Sequence, residues 1–159
     1  NDKRKSAYFI VTKNGVIGTG KLKQTSATVA DGGSNIIVLR YADVLLMLAE
    51  CYAEKDDVSK SNEYLNLIKK RAGIEEVSIG DATLIKEEIA LERRKELVNE
   101  GHRWFDLIRT GKAVEVMNAY FTRTPGYTGI TISELNYVQP IPQGQIDTDS
   151  ATKQNEGYN

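Results

Sequence analysis

Between Tyr41 and Tyr52 the chain places Tyr41, Val44, Leu45, Leu48, Ala49 and Tyr52 three, four or one residue apart. That spacing brings side chains to one face of an α-helix. Leu46 and Met47 add apolar surface on a second side, and a helix apolar on two sides sits between neighbours. The pattern predicts a helix from about Leu39 to Glu54. Lys55-Asp56-Asp57 interrupts it. A second helix is expected from about Val58 to Ala72, with Tyr64, Leu65, Ile68 and Ala72 on one stripe. Lys69, Lys70 and Arg71 complement the dipole of its last turn, and Gly73 supplies the stop. Two helices joined by a short polar loop form an antiparallel αα-hairpin of tetratricopeptide-like size. The fold class is therefore mainly α, a helical hairpin plus further helices with long loops and a few short strands. No second copy of the hairpin is evident, so the chain by itself is not a repeat array.

The flanks are read the same way. Tyr8-Phe9-Ile10-Val11 predicts a short strand, Asn14-Gly15 a tight turn, and Val16-Ile17 a return strand. Gly18 to Ser34 is rich in Thr, Ser and Gly and reads as a loop. Asp81 is placed to cap a third helix running to about Glu100, which Gly101 stops or kinks. Trp104, Leu107 and Ile108 mark a short helix ended by Gly111. Beyond Tyr120 periodicity is lost, and all three prolines fall there; that part is expected to be extended and to lie over the helices. The expected organisation is a strand and loop segment, 1–35, and a helical domain, 36–159, making one domain overall. Leu45, Leu48, Ile68, Ile89, Trp104 and Leu107 are expected in one core built around three helices, since burying an aliphatic side chain contributes ~1.5–3 kcal/mol.

Composition narrows the function. The net charge of −1 over 159 residues gives no overall field to draw nucleic acid or anionic lipid. Cys51 is the sole cysteine. An intrachain disulfide is thereby excluded and a cysteine-based metal site disfavoured, and its place in a helical pattern reads as a small core residue. The charged start, Asn1 to Lys5, is not followed by the apolar stretch of a signal peptide. The most apolar run, Val44 to Ala49, falls far short of the ~18 residues needed to cross a bilayer. The chain begins without Met and is expected to be a piece of a longer protein.

The most unusual segment runs from Glu92 to Arg109. Ile85, Ile89, Glu92 and Glu96 share one helical stripe, which puts two carboxylates on or beside an apolar face. Glu96 and Glu100 are again four apart, and like charges at that spacing repel unless cations intervene. Arg40, Arg93, Arg103 and Arg109 are the available partners, with guanidinium forks suited to carboxylates. The expected structure is a partly buried ion-pair network tying the third helix to the first and to the Trp104 helix, with Glu92, Glu96 and Asp106 held by arginines. The competing reading makes Glu92 and Glu96 a glycosidase pair. An arginine-rich setting keeps carboxylates ionised, whereas a general acid needs a raised pKa. His102 is the only histidine and has no partner for a metal pair or a nucleophile; it reads as a loop or helix-start residue. Trp104 reads as core rather than as a sugar platform. No catalytic or metal residue is assigned, and no cofactor is implied.

Several of these segments resemble the SusD/RagB family. Arg40-Tyr41-Ala42-Asp43-Val44-Leu45-Leu46-Met47-Leu48-Ala49-Glu50 is similar to its "LRYADVLLMYAE" helix. Glu92-Arg93-Arg94-Lys95-Glu96-Leu97, followed by Glu100-Gly101-His102-Arg103-Trp104-Phe105-Asp106-Leu107-Ile108-Arg109, is similar to its "ERRxEL…EGHRWFDLxR" signature. Pro140-Ile141-Pro142 matches a late "PIP" element, and Gln154-Asn155-Glu156-Gly157-Tyr158 resembles a closing "QNPGY", with Glu156 in place of the usual Pro. Asp2-Lys3-Arg4 loosely resembles a "DxR" start. The four motifs stand in the family's order.

The resemblance implies a SusD-like superhelix of paired helices in an outer-membrane lipoprotein exposed at the cell surface. It implies binding of glycans or other nutrients, and a TonB-dependent, SusC-like transporter as partner. It further implies a lipidated N-terminal Cys and more helix pairs than are present here. The shared motifs look architectural, so no ligand-binding residue is carried over. The alternative is a purely structural or protein-interaction module. Exposed aromatics for a sugar are sought at Tyr8, Phe9, Phe121 and Tyr127, each of which can equally pack against the helices. On this reading the segment alone binds glycan weakly or not at all.

Overall fold

The computed structural model describes residues 2–11, 13–21 and 35–158. The loop predicted over Gly18 to Ser34 lies largely outside them. The chain forms two compact units, residues 1–103 and 104–159. In the first, a five-residue helix α1 (Arg4–Tyr8) leads into β1 (Phe9–Val11), which pairs antiparallel with β2 (Ile17–Thr19) in the register Phe9–Thr19, Ile10–Gly18 and Val11–Ile17. The tight turn between them has Gly15 at φ 77°, a left-handed geometry that glycine adopts without strain. Tyr8 ends the helix instead of opening the strand.

The helical body comprises α2 (Tyr41–Glu54), α3 (Val58–Ala72) and α4 (Ala82–Glu96). Asp57 caps α3 by accepting the Lys60 N–H at 3.1 Å, and Asp81 caps α4 by accepting from Thr83 and Leu84. Gly73 ends α3 at φ 73°. A β-carbon there would also meet the Lys3 side chain, whose backbone N–H docks on the Ala72 carbonyl at 2.9 Å. The third helix stops at Glu96, short of the predicted Glu100, because Asn99 (φ 63°) and Gly101 (φ 82°) both turn left-handed.

The core is made by Leu45, Leu46, Ala49 and Ala53 of α2 with Leu65 and Ile68 of α3 and Ile85 and Ile89 of α4. Its stripe on α2 is rotated by about one position from the predicted one. Ala42, Leu45, Leu46, Ala49 and Ala53 are buried, whereas Tyr41, Val44 and Leu48 are exposed. Three alanines on the inner face let α2 approach its neighbours closely, so the smaller residues face the contact and the larger ones face away. Leu48 is therefore not a core residue. Cys51 is exposed, not buried, because it sits on the outward side of α2. Tyr52 and Tyr64 stack at 5.5 Å with planes 4° apart, closing the hairpin at one edge.

Two asparagines one turn apart on α3 organise the link to α4. Asn62 accepts from the Ile79 N–H at 3.0 Å and donates to the Ile79 carbonyl at 2.8 Å. Asn66 does the same to Val77, at 2.9 and 2.8 Å. Each amide pairs with the extended backbone as a neighbouring strand would, satisfying its polar groups.

Helix α5 (His102–Arg109) starts at the end of the first unit, and the second unit holds the rest of it, α6 (Ala113–Arg123), a 3-10 turn (Glu134–Tyr137) and α7 (Gln143–Thr148). The expectation of wholly extended chain beyond Tyr120 is thus corrected. Pro142 sits at the N-cap of α7, where its missing N–H costs no helical bond. Leu107 is buried and Trp104 half-buried, with its ring edge-on to Tyr137 at 6.2 Å. Side-chain amides again hold extended backbone. Asn118 clamps Ile132 (2.8 and 3.0 Å), and Gln154 clamps Ile141 (2.8 and 2.9 Å). Asn155 donates to the Gln139 carbonyl and the Tyr158 hydroxyl to that of Val138. The Pro140-Ile141-Pro142 and Gln154–Tyr158 motifs therefore hold each other.

The rotated stripe gives a direct test. Leu46→Ala is expected to cost about 2–5 kcal/mol by denaturant titration, as for a fully enclosed leucine. Leu48→Ala should cost well under half of that. Equal losses would return the core to the predicted face.

Candidate functional site

The inner face of α4 carries Ile85 and Ile89 for two turns and then Glu92 and Glu96, all at most 1% exposed. The apolar stripe thus ends in two carboxylates with no access to water. They are met by the side chain of Arg4, itself 6% exposed, whose Nη1 donates to Glu92 Oε1 at 2.5 Å and to Glu96 Oε2 at 2.9 Å. Arg4 is held in turn by Asp2, which accepts from Nε at 2.9 Å and from Nη2 at 2.7 Å. Around Glu96 Oε1 gather Arg40 Nη1 and Arg71 Nη2, each at 2.5 Å, and the Tyr8 hydroxyl at 3.3 Å. Arg40 also donates to the Glu96 carbonyl at 2.6 Å and through Nε to Glu100 at 2.7 Å. Lys21 joins Glu100 and donates to the carbonyls of Glu96 and Val98. Separately, Arg93 and Asp43 form a buried pair at 2.8 Å between α4 and α2.

Burial alone would push the Glu96 carboxyl up. Hydrogen bonds from Arg40 and Arg4, with the charges of Arg40 and Arg71, outweigh it and hold the group below the usual carboxylate range. Glu100 behaves alike, with burial overcome by Arg40 and Lys21. Burial works against the charge on Arg4 and Arg40, but their carboxylate partners prevail and both pKa values rise. An enclosed carboxylate kept ionised by arginines is the reverse of a general acid, and Glu92 and Glu96 accept from the same guanidinium nitrogen. One Glu92 oxygen has no hydrogen-bond donor among the described residues.

This network brings together segments that lie far apart in the sequence. The SusD family model matches residues 1–158. The chain belongs to the SusD family. It is 40% identical over 93 residues to SusD-like protein P38 of Formosa agariphila, a match covering 53% of this chain and 18% of that protein. SusD-like protein P25 of the same organism is 32% identical over 131 residues, 79% of this chain and 24% of the relative. The chain therefore spans about a fifth to a quarter of these relatives. Among solved structures, surface glycan-binding protein A from Bacteroides thetaiotaomicron aligns with a TM-score of 0.62 at 37% identity, over 77% of this chain and 25% of that one. A SusD superfamily protein from Bacteroides vulgatus aligns with a TM-score of 0.67 at 30% identity, over 78% and 28%.

Within this SusD-family fold the predicted site residues separate. Glu92 and Glu96 come together on arginine as expected, but three of the cations that meet them or Glu100 were missed: Arg4, Lys21 and Arg71. Arg93 pairs with Asp43 of α2. Asp106 pairs with Arg109 at 2.9 Å within α5. Arg103 is half-buried near the start of α5, and His102 opens that helix. Arg4 stands 88 residues from Glu92, beyond any local spacing rule, and the Asp2-Lys3-Arg4 motif was its one trace. Of the aromatics, Tyr8 lies under the Lys21 ammonium, 4.0 Å from the ring centre. Phe9 is 39% exposed. Phe121 and Tyr127 stack at 5.6 Å and Tyr120 packs on both at 5.8 Å, so the loop folds these rings into one cluster.

Glu96→Gln and Arg4→Ala should each lower stability by about 3–5 kcal/mol, because a stranded charge remains buried. Arg71→Ala removes a side chain that is 53% exposed and should cost at most about 1 kcal/mol. Acid sensitivity follows from the same geometry. Because the folded-state pKa values of Glu96 and Glu100 are depressed, their stabilisation is full above the unfolded value of about 4.3. It is lost as pH falls through the lower folded values, where both states become protonated. Thermal melts from pH 7 down to acid should show a shallower loss in Glu96→Gln than in the wild type; parallel curves would contradict the assignment.

Proposed function

We propose that this chain is part of a surface nutrient-binding subunit that takes up a glycan or oligosaccharide and passes it to a TonB-dependent, SusC-like transporter without catalysing a reaction. The observation that carries this reading is the SusD-family match from residue 1 to 158, together with 37% identity to a surface glycan-binding protein. Location at the outer face of the outer membrane through an N-terminal lipid anchor belongs to the same proposal. The inward-facing acids argue against hydrolysis, since Glu92 and Glu96 are fully enclosed and bound to arginine. The alternative, an interaction module with no ligand of its own, is favoured by one observation. Tyr41 and Val44, with Val38 and Leu39 just before α2, present exposed apolar surface of the kind that packs against another element.

Two measurements on the complete encoded protein separate these readings. Calorimetry against a glycan panel should find micromolar or tighter binding without turnover, and a TonB-dependent transporter should co-purify from outer membranes. Transporter capture with no glycan bound would select the interaction module. Product release from a bound glycan, abolished by Glu96→Gln at unchanged stability, would instead make it an enzyme.

A further inference from the structure

The first unit contains an open cleft of about 550 Å³ between α1–β1 and α4, within the size range of small-ligand sites. Its α4 wall is the stripe Leu91, Arg94 and Lys95, continued by Val98 just past the helix, at spacings of three and four residues. This is the side of α4 turned away from the core stripe of Ile85, Ile89, Glu92 and Glu96. The other wall is Lys5, Tyr8 and Phe9. Phe9 and Leu91 are 39% and 43% exposed, so an aromatic ring and an aliphatic side chain line the cleft while three cations stand around them.

The charge balance is unusual. In the adjoining network Asp2, Glu92, Glu96 and Glu100 are matched one for one by Arg4, Lys21, Arg40 and Arg71. Asp2 lines the cleft but is gripped by Arg4, and the field of Lys95 is a lesser influence on it. Lys5, Arg94 and Lys95 make no side-chain hydrogen bond or ion pair among the described residues. Three like charges gathered over exposed apolar groups repel one another, and an anion relieves that repulsion. A guanidinium fork suits an oxyanion with two acceptor oxygens, and a ring such as Phe9 suits the apolar face of a pyranose.

We infer that this cleft is a subsite for an anionic saccharide, with the acid group, a carboxylate or a sulfate ester, held by Arg94, Lys95 and Lys5 and the sugar face laid on Phe9 and Leu91. The inference rests on the glycan-binding reading above and narrows its ligand to acidic chains. It also puts a sugar contact within this segment, where the motifs themselves offered none.

The test is calorimetry on the complete encoded protein with three probes: oligogalacturonates, sulfated galacto-oligosaccharides and neutral cello-oligosaccharides. Acidic probes should bind more tightly than neutral ones, with affinity falling as salt rises. The double variant R94Q/K95Q should lose at least about tenfold in affinity for the acidic probe that binds, the loss expected for one charge-assisted contact. Lys70→Gln, which removes an exposed cation from α3, should leave affinity unchanged. The replaced side chains are all exposed, so melting curves should match the wild type and exclude misfolding. Preference between the first two probes identifies carboxylate or sulfate. Acidic binding unchanged in R94Q/K95Q, or lowered equally by Lys70→Gln, overturns the subsite. Neutral chains bound as tightly as acidic ones also overturn it while leaving the glycan reading intact. Binding to no glycan at all removes both.

Discussion

Glu92 and Glu96 bring two negative charges into the interior, on the same face of α4 that carries Ile85 and Ile89. Desolvating an ion costs roughly several kcal/mol even after relaxation, so α4 cannot settle on the hairpin until cations are delivered to that point. Arg4 comes from the N-terminal turn, Arg40 from the residue before α2, and Arg71 from the end of α3. One carboxylate thus selects the placement of three separate segments. Lys21 and Glu100 extend the constraint to the β-hairpin side and to the turn after α4. A network of this kind contributes less to net stability than an apolar core of equal size. We regard its value as specificity: alternative placements of α1 or of the chain before α2 would leave a carboxylate buried without a partner.

A second device recurs at smaller scale. Asn62, Asn66, Asn118 and Gln154 each use both ends of a side-chain amide on one residue of extended backbone. Among the described residues the segments they clamp have no strand neighbour, yet their N–H and C=O groups require partners. An amide supplies a donor and an acceptor together, which a hydroxyl or a charged group held in place does less readily. This is how a mainly helical chain carries long non-helical connections, and how the late proline motif is held by the closing Gln154.

The same economy leaves other surfaces open. With Glu92 and Glu96 occupied by Arg4, Arg40 and Arg71, Arg94 and Lys95 on the other side of α4 remain available, and the hairpin strand places Phe9 across from them. The apolar outer side of α2 is open too, for a different reason: its alanines took the inner contact and left Tyr41 and Val44 outside. The matched segments make up only 18% and 24% of the relatives' length, which leaves ample chain to use such surfaces.

Much was legible in the residues. The hairpin of α2 and α3, the Asp81 cap, the Gly73 stop, and the presence of an arginine-held acid pair all follow from local spacing, because helix periodicity and capping are decided within a few residues. The family resemblance was carried by motifs that proved to be structural: the Arg40–Glu50 helix start, the Glu92–Glu100 acids, and the mutually clamped Pro140 and Gln154 segments. What only the tertiary structure decided was which side of α2 faces inward, since Tyr41, Val44 and Leu48 satisfy the period as well as Ala42, Leu46 and Ala53 do. Close approach to α3 and α4 broke that tie in favour of the alanines. The identity of the cations was likewise undetermined, because Arg4 and Glu92 meet across 88 positions and no local rule links them. The cleft belongs with these. Lys5, Phe9, Arg94 and Lys95 are unremarkable residues in the sequence, and they form one surface only because the Arg4 ion pairs draw the N-terminal turn onto α4.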